Sequence, residues 1–330
     1  MKKHTSILLA IFALALTSIV FVKIAYDKNN SSPVALVAAA EPVSSGISIH
    51  ERNLPTAHST ASAAPHVEKS SSSSKPPKSS LISLYNNKKS GRAFVFEAWQ
   101  HPEAGGRFYA SKVVEFCSGA SSTLSLIKIS TPISGLNDTP EITHARNKSL
   151  RKVQLLCEDF TAFDFSEQGL LALLHEQGKD DALLKKQRTF LASRSNGSPL
   201  DKTALAEIVA TQDPLLIDDT GLALFIYRDP DNALNSIYFE GTSYPLASSP
   251  EVFAAVYMLP CELGLRCDID GDSQLAVACA SGGGCHETRS ARAYTEILQS
   301  DEKRFQSALS LTGRMAEAIR SNNIEAFVRK

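Results

Sequence analysis

The stretch CELGLRCDIDGDSQLAVACASGGGC, residues 261–285, holds four of the chain's six cysteines and the acidic run Asp268, Asp270 and Asp272. Its cysteine spacing is C-x5-C-x11-C-x5-C, and each five-residue loop carries glycine at the same offset, Gly264 and Gly282. Structural zinc sites usually pair cysteines about two to four residues apart, so that one turn aims both thiolates at one ion. Five intervening residues are too many for that knuckle. An EF-hand-like calcium loop fits only at its start. Asp268, Asp270 and Asp272 stand at the first three ligand positions, but Ser273 occupies the place that requires glycine and Cys279 the place that requires glutamate. The three carboxylates are a weak candidate for a divalent cation, and no other metal site is expected. More simply, they open a helix from Ser273 to Cys279, where acids meet the positive helix end.

Disulfides fit the spacing better. A straight helix separates residues six apart by roughly 9 Å along its axis, too far for a bridge. A left-handed glycine at each helix end turns the chain back and brings the second cysteine beside the first. This predicts Cys261–Cys267 and Cys279–Cys285 as staples, with Cys117 and Cys157 left as a third pair between the helix ending at Phe116-Cys117 and the helix carrying Leu155-Leu156-Cys157. Spacing alone does not fix the connectivity, and nested or alternating pairings satisfy the same count.

Six cysteines in one domain point to an oxidising compartment, and the N-terminal segment agrees. Thr5 to Val22 carries no charge and is flanked by Lys2, Lys3 and Lys23. A run of about 18 largely apolar residues is the lower edge of a membrane span and long for a signal-peptide core. The expectation is a signal anchor over residues 1–26, a single pass of the inner membrane through residues 5–22, and a C-terminal domain in the periplasm. The alternative is a cleaved signal peptide and a secreted or periplasmic domain. Residues 27–80 are rich in Ser, Pro and Ala with too few apolar residues for a core, and read as a disordered linker. Residues 1–80 carry 8 Lys/Arg against 4 Asp/Glu, and residues 81–330 carry 26 against 31. With a net charge of −1, the chain has no global attraction to nucleic acid.

From Leu81 to Lys330 helix signals recur. Thr139-Pro140-Glu141 and Ser249-Pro250-Glu251 each supply a cap, a proline at the first helical position and an acid in the first turn. Ser198-Pro199-Leu200-Asp201 is a third start, and Ser166-Glu167 opens LLALLHEQ before Gly178. Val153, Leu155, Leu156 and Phe160 fit one helix face, Leu205, Ile208 and Val209 another, and Phe305, Leu309, Leu311, Met315 and Ile319 a third. Strand signals are confined to Thr123–Ile129 and Ser236–Phe239. The fold class expected is all-α: an irregular domain of about ten helices with disulfide-stapled ends and at most a minor hairpin.

No HExxH, GxSxG, P-loop or GxGxxG motif occurs in the chain, so no cofactor is expected. His175-Glu176 and His286-Glu287 read as exposed helix-surface pairs, Asp218-Asp219 as a turn or cap, and Trp99 as core. Gly105-Gly106-Arg107-Phe108-Tyr109-Ala110 through Cys117, then Leu156-Cys157, then the two Cys-x2-Gly-x2-Cys loops, resemble a group of uncharacterised extracytoplasmic helical proteins of Gram-negative bacteria. The resemblance runs through scattered positions from Arg92 to Glu302 and implies compartment and helicity, with no catalytic residue. The function expected is a membrane-anchored periplasmic binding or interaction module, partnered by the inner membrane and by another envelope protein. The competing classes are an extracytoplasmic hydrolase with a site assembled from distant residues and a weak cation-binding envelope protein.

Overall fold

A computed structural model describes residues 79–129, 138–166, 168–177, 180–194, 201–228 and 235–329. The apolar run 5–22 and most of the linker lie outside these residues. Among the described residues no helix is long and apolar enough to cross a membrane.

The described chain is mostly helical. Its α-helices are α1 (Ser79–Asn86), α2 (Gly91–Trp99), α3 (Gly106–Ile129), α4 (Pro140–Cys157), α5 (Leu170–Gln177), α6 (Ala182–Arg194), α7 (Lys202–Val209), α8 (Pro214–Thr220), α9 (Pro250–Glu262), α10 (Ser273–Ala280), α11 (Arg289–Arg292) and α12 (Glu302–Arg320). The starts follow side-chain chemistry. Thr139 accepts from the Ile142 amide ahead of Pro140, and Asp213, Asp272 and Asp301 cap α8, α10 and α12 in the same way. Each such cap is worth about 1 kcal/mol.

Several expectations are corrected. Thr123–Ile129 is the last part of α3, not a strand: once a helix is nucleated, each further turn costs little, and this outweighs the β-branched residues. Cys117 therefore lies inside a helix rather than at its end. The start at Ser198 moves to Asp201, whose carboxylate accepts from the Thr203 and Ala204 amides. Ser166 follows a short 3-10 turn, and α5 begins only at Leu170. Ser249 precedes Pro250 without a side-chain cap bond. The hairpin is a three-stranded antiparallel sheet in the order β1 (Ile226–Arg228), β2 (Asn235–Phe239), β3 (Thr242–Pro245), with Ile237 paired to Ile226 on one side and Tyr244 on the other.

The main core gathers Phe108, Phe190, Leu205, Leu216, Phe225, Phe239, Leu259 and Phe327. Helix α9 runs through it, buried at Val252, Ala255, Val256 and Leu259, and packs on α8 and α12. A second cluster joins Cys117, Val153, Leu156 and Ala276, where α10 lies on α4.

All six cysteines are paired: Cys117–Cys157, Cys261–Cys267 and Cys279–Cys285, with Cα separations of 5.4, 5.6 and 4.4 Å. The two staples repeat one motif. Gly264 has φ 109° and Gly282 φ 96°. At the first, Leu265 N–H donates to Pro260 O and Gly264 N–H to Cys261 O; at the second, Gly283 N–H donates to Ala278 O and Gly282 N–H to Cys279 O. This is the Schellman reversal, in which a left-handed residue folds the chain back onto its own helix end.

The loop lengths rank the bridges. Cys117 and Cys157 are 40 residues apart, and each staple spans 6. Replacing both cysteines by alanine should cost about 4 kcal/mol for the long bridge and about 2.4 kcal/mol for a staple. Urea midpoints of the double variants measure this; equal losses would show that chain entropy does not set the ranking.

Candidate functional site

The segment between the staples folds against residues 285–289. Ile269 N–H donates to Glu287 O and Arg289 N–H to Cys267 O, so the loop is held to the start of α11 by backbone bonds. Arg289 is only 4% exposed. Its Nε–H donates to Asp272 Oδ2, and its two terminal nitrogens bind both Asp218 oxygens, one at 3.0 Å. The other oxygen of Asp272 accepts from the Gln274 and Leu275 amides at the start of α10. One carboxylate therefore caps a helix and anchors a buried cation. Burial alone would lower the guanidinium pKa, but its hydrogen bonds to Asp218 and the nearby Asp272 charge drive it upward.

A cavity of about 480 Å³ lies beside this network, lined by Tyr85, Lys112, Asp218, Asp219, Gln274 and Arg289 among others. Lys112 Nζ stands 2.7 Å from Glu115 and 2.9 Å from Asp219. Burial works against its charge, and Asp219 and Glu115 more than restore it. The Tyr85 phenol is pushed up by burial and then by Asp218 and Asp272, so it stays protonated. Glu115, Asp218, Asp219 and Asp272 meet here, and each is held by a cation.

A larger groove of about 840 Å³ shares Gly271 and Ser273 with that cavity as a common wall. A Cβ on Gly271 would stand 2.3 Å from Arg266 Cγ, so the arginine stem lying across the loop requires glycine there. Lys148, Lys152 and Leu155 of α4 line the groove at i, i+4 and i+7, one face of the helix. Leu155, expected on one face with Val153, Leu156 and Phe160, is 41% exposed. Lys88, just after α1, lines the same groove. Its Nζ donates to Tyr85 O at 3.1 Å and lies 3.5 Å from the Tyr85 ring centroid. Burial lowers its pKa to about 8, with Asp272 opposing and Lys152 adding to the fall. Lys152 is lowered by burial too; it donates to Ile269 O and lies 3.7 Å from Asp270.

The acidic run does not converge. Asp268 accepts from Gly271 N–H at 2.6 Å and Arg266 Nε–H at 2.9 Å, Asp270 faces Lys152, and Asp272 points to Arg289. Among the described residues no group of three His, Cys, Asp or Glu side chains is placed to hold a metal ion. His286 is in a loop rather than on a helix, half-buried, with Nε2 at 2.8 Å from Glu296; it lines the groove beside Glu287. Asp218 and Asp219 lie within α8, not in a turn, because Asp213 caps that helix earlier. Trp99 is half-buried against the core, and the His175 side chain lies outside the described residues. Sequence reasoning missed Lys88, Lys152, Tyr85 and Arg289. The readable signal was the Lys148–Lys152–Leu155 stripe, which places an apolar residue among cations on one helix face. No protein-family model, curated protein or solved structure matches this chain.

Arg289→Met should destabilise the fold by about 3–5 kcal/mol, because it leaves Asp218 and Asp272 charged and unpaired; denaturant titration measures it, and a loss below about 1 kcal/mol would remove the network from its structural role. Lys88 gives a pH-dependent result. Its folded pKa of about 8 lies below its ordinary value of 10.5, so its charge opposes folding fully below about pH 8 and less as pH rises toward 10.5. Lys88→Met should therefore gain stability over the native protein at pH 7, with the gain shrinking by pH 10. A gap that stays constant with pH would contradict this.

Proposed function

We propose that the chain is a membrane-anchored helical binding module of an oxidising extracytoplasmic compartment, and that its ligand docks in the groove between α4 and the stapled loop. The compartment is supported by the apolar run 5–22 and by three cysteine pairs at bonding distance. The resemblance to extracytoplasmic helical proteins is part of the same proposal. The observation that carries the reading is the groove itself: about 840 Å³, with an exposed Leu155 and a rim of charged side chains. That volume lies within the roughly 300–1,000 Å³ common for sites that hold one small ligand.

A hydrolase would have to use the smaller cavity. Its carboxylates are taken up by Arg289 and Lys112, an arrangement that favours structure over proton transfer. A cation-binding role would need the Asp268–Asp272 carboxylates turned toward one point, and they bind three different partners.

The test places a photo-crosslinking amino acid at Leu155, and separately at Leu309 on α12, in the full chain within its native membrane. Crosslinked product should form from Leu155 and not from Leu309. Equal yields, or product from Leu309 alone, would remove the groove from the function. Alkylation before and after reduction should add mass only after reduction; thiols free before reduction would place the domain in a reducing compartment.

A further inference from the structure

The groove's charges are sorted by depth. Its carboxylates, Glu158, Asp159, Asp270 and Glu287, are all exposed on the rim. There they mix with exposed Lys89, Lys148 and Arg151; Arg151 approaches Glu158 at 4.0 Å and Asp159 takes the Ser90 hydroxyl at 2.7 Å. The half-buried ionisable groups are Lys88, Lys152 and His286, and His286 is engaged by Glu296. The inner wall thus presents two amines. Lys88 has no carboxylate within ion-pair distance among the described residues; the charges that act on it are Asp272 and Lys152. Lys152 meets only exposed Asp270, at 3.7 Å.

Each amine is tied through one donor to a backbone carbonyl, Tyr85 O for Lys88 and Ile269 O for Lys152. An ammonium has three donors, which leaves two on each. Ser90, which also lines the groove, caps the N-terminus of α2 through the Ala93 amide and donates to Asp159, so that helix end already has a carboxylate beside it. Leu155 supplies an exposed apolar side chain beside the amines, and Leu156, 6% exposed and otherwise part of the second core cluster, also lines the groove.

We propose that the groove binds a free single-chain amphipathic anion, its charged head between Lys88 and Lys152 and its tail along Leu155 and Leu156. This rests on the groove being the docking site and names the ligand class. The head replaces water around two desolvated amines that repel each other, so the gain comes from charge complementarity in a part of the groove with low dielectric. The tail distinguishes this ligand from a small anion, which would use the same amines without the leucines.

The test is calorimetric titration of the full chain, held in neutral detergent discs, with decanoate, decanol and acetate. Decanoate should bind at least about 10-fold tighter than either other probe, since losing a charged hydrogen-bond partner or the apolar contact each costs about a decade or more. Lys88→Gln should weaken decanoate about 10-fold, and Lys88→Arg should restore it. At pH 8 the native protein should take up protons on binding, seen as a heat that depends on the buffer, and Lys88→Arg should show less. Decanol binding as tightly as decanoate overturns the ligand class while leaving the groove as docking site. Acetate equal to decanoate overturns the role of the tail. Binding to phosphatidylglycerol vesicles but not to decanoate makes the amines a bilayer contact and overturns the free ligand. If no amphiphile binds but Leu155 crosslinks persist, the ligand class is wrong; if the crosslinks fail too, the docking site itself is wrong.

Discussion

The placement of both clefts depends on one buried ion, the Arg289 guanidinium. It is held on one side by Asp218 of α8 and on the other by Asp272, which itself caps α10. Those residues come from three separate parts of the chain. A buried guanidinium is tolerated only when its donors are met in good geometry, and the removal of either acid leaves an uncompensated charge. The network is therefore a constraint of register more than a source of net stability: it admits the stapled loop in one position relative to α8. The Tyr257 ring, 5.3 Å from the guanidinium carbon, covers another side of it.

The staples make that position reproducible from both ends. Each disulfide closes a Schellman turn, so the C-terminal ends of α9 and α10 cannot fray away from the segments that follow them, 263–267 and 281–285. Arg146 adds a third restraint. It donates to Cys279 O and Gly283 O at the C-terminus of α10 while pairing with Asp138. A cation at that helix end is favourable in its own right. The result is a rigid wall, Ile269–Ser273, standing between a charge-balanced cavity and a groove in which Lys152 meets Asp270 and Lys88 has no carboxylate at ion-pair distance among the described residues.

Much of this wall was legible in the sequence. The Cys-x2-Gly-x2-Cys repeat carries its own geometry: the glycine offset gives the reversal, and the reversal favours the adjacent pairing over the nested and alternating ones that spacing left open. Thr139-Pro140 was equally plain, and so was the α12 face at Leu311, Met315 and Ile319, although Leu309, placed on the same face, is exposed. The failures have physical causes. Thr123–Ile129 looked like a strand because β-branched residues favour extended chain, but a helix running from Gly106 continues through them. Leu155 was placed on one face with Val153, Leu156 and Phe160, but adjacent helix residues stand about 100° apart, and Leu155 shares its face with Lys148 and Lys152 instead. Asp218 and Arg289 are 71 residues apart, and a pair so distant leaves no local pattern.

The same reasoning explains why the groove escaped any motif search. A catalytic signature is a set of residues close in sequence, because one turn or one helix must aim them together. The groove draws its amines from two distant parts of the chain, Lys88 after α1 and Lys152 within α4, and each donates to a backbone carbonyl. Tyr85 takes part twice, its carbonyl holding the ammonium and its ring lying under it, while its phenol faces the other cavity's acids. The loop Ile269–Ser273 separates the carboxylate-bearing cavity from the groove, and Tyr85 touches both the cavity and the Lys88 amine. That separation, more than the number of charges on either side, gives the groove its cationic inner wall in a chain whose net charge is only −1.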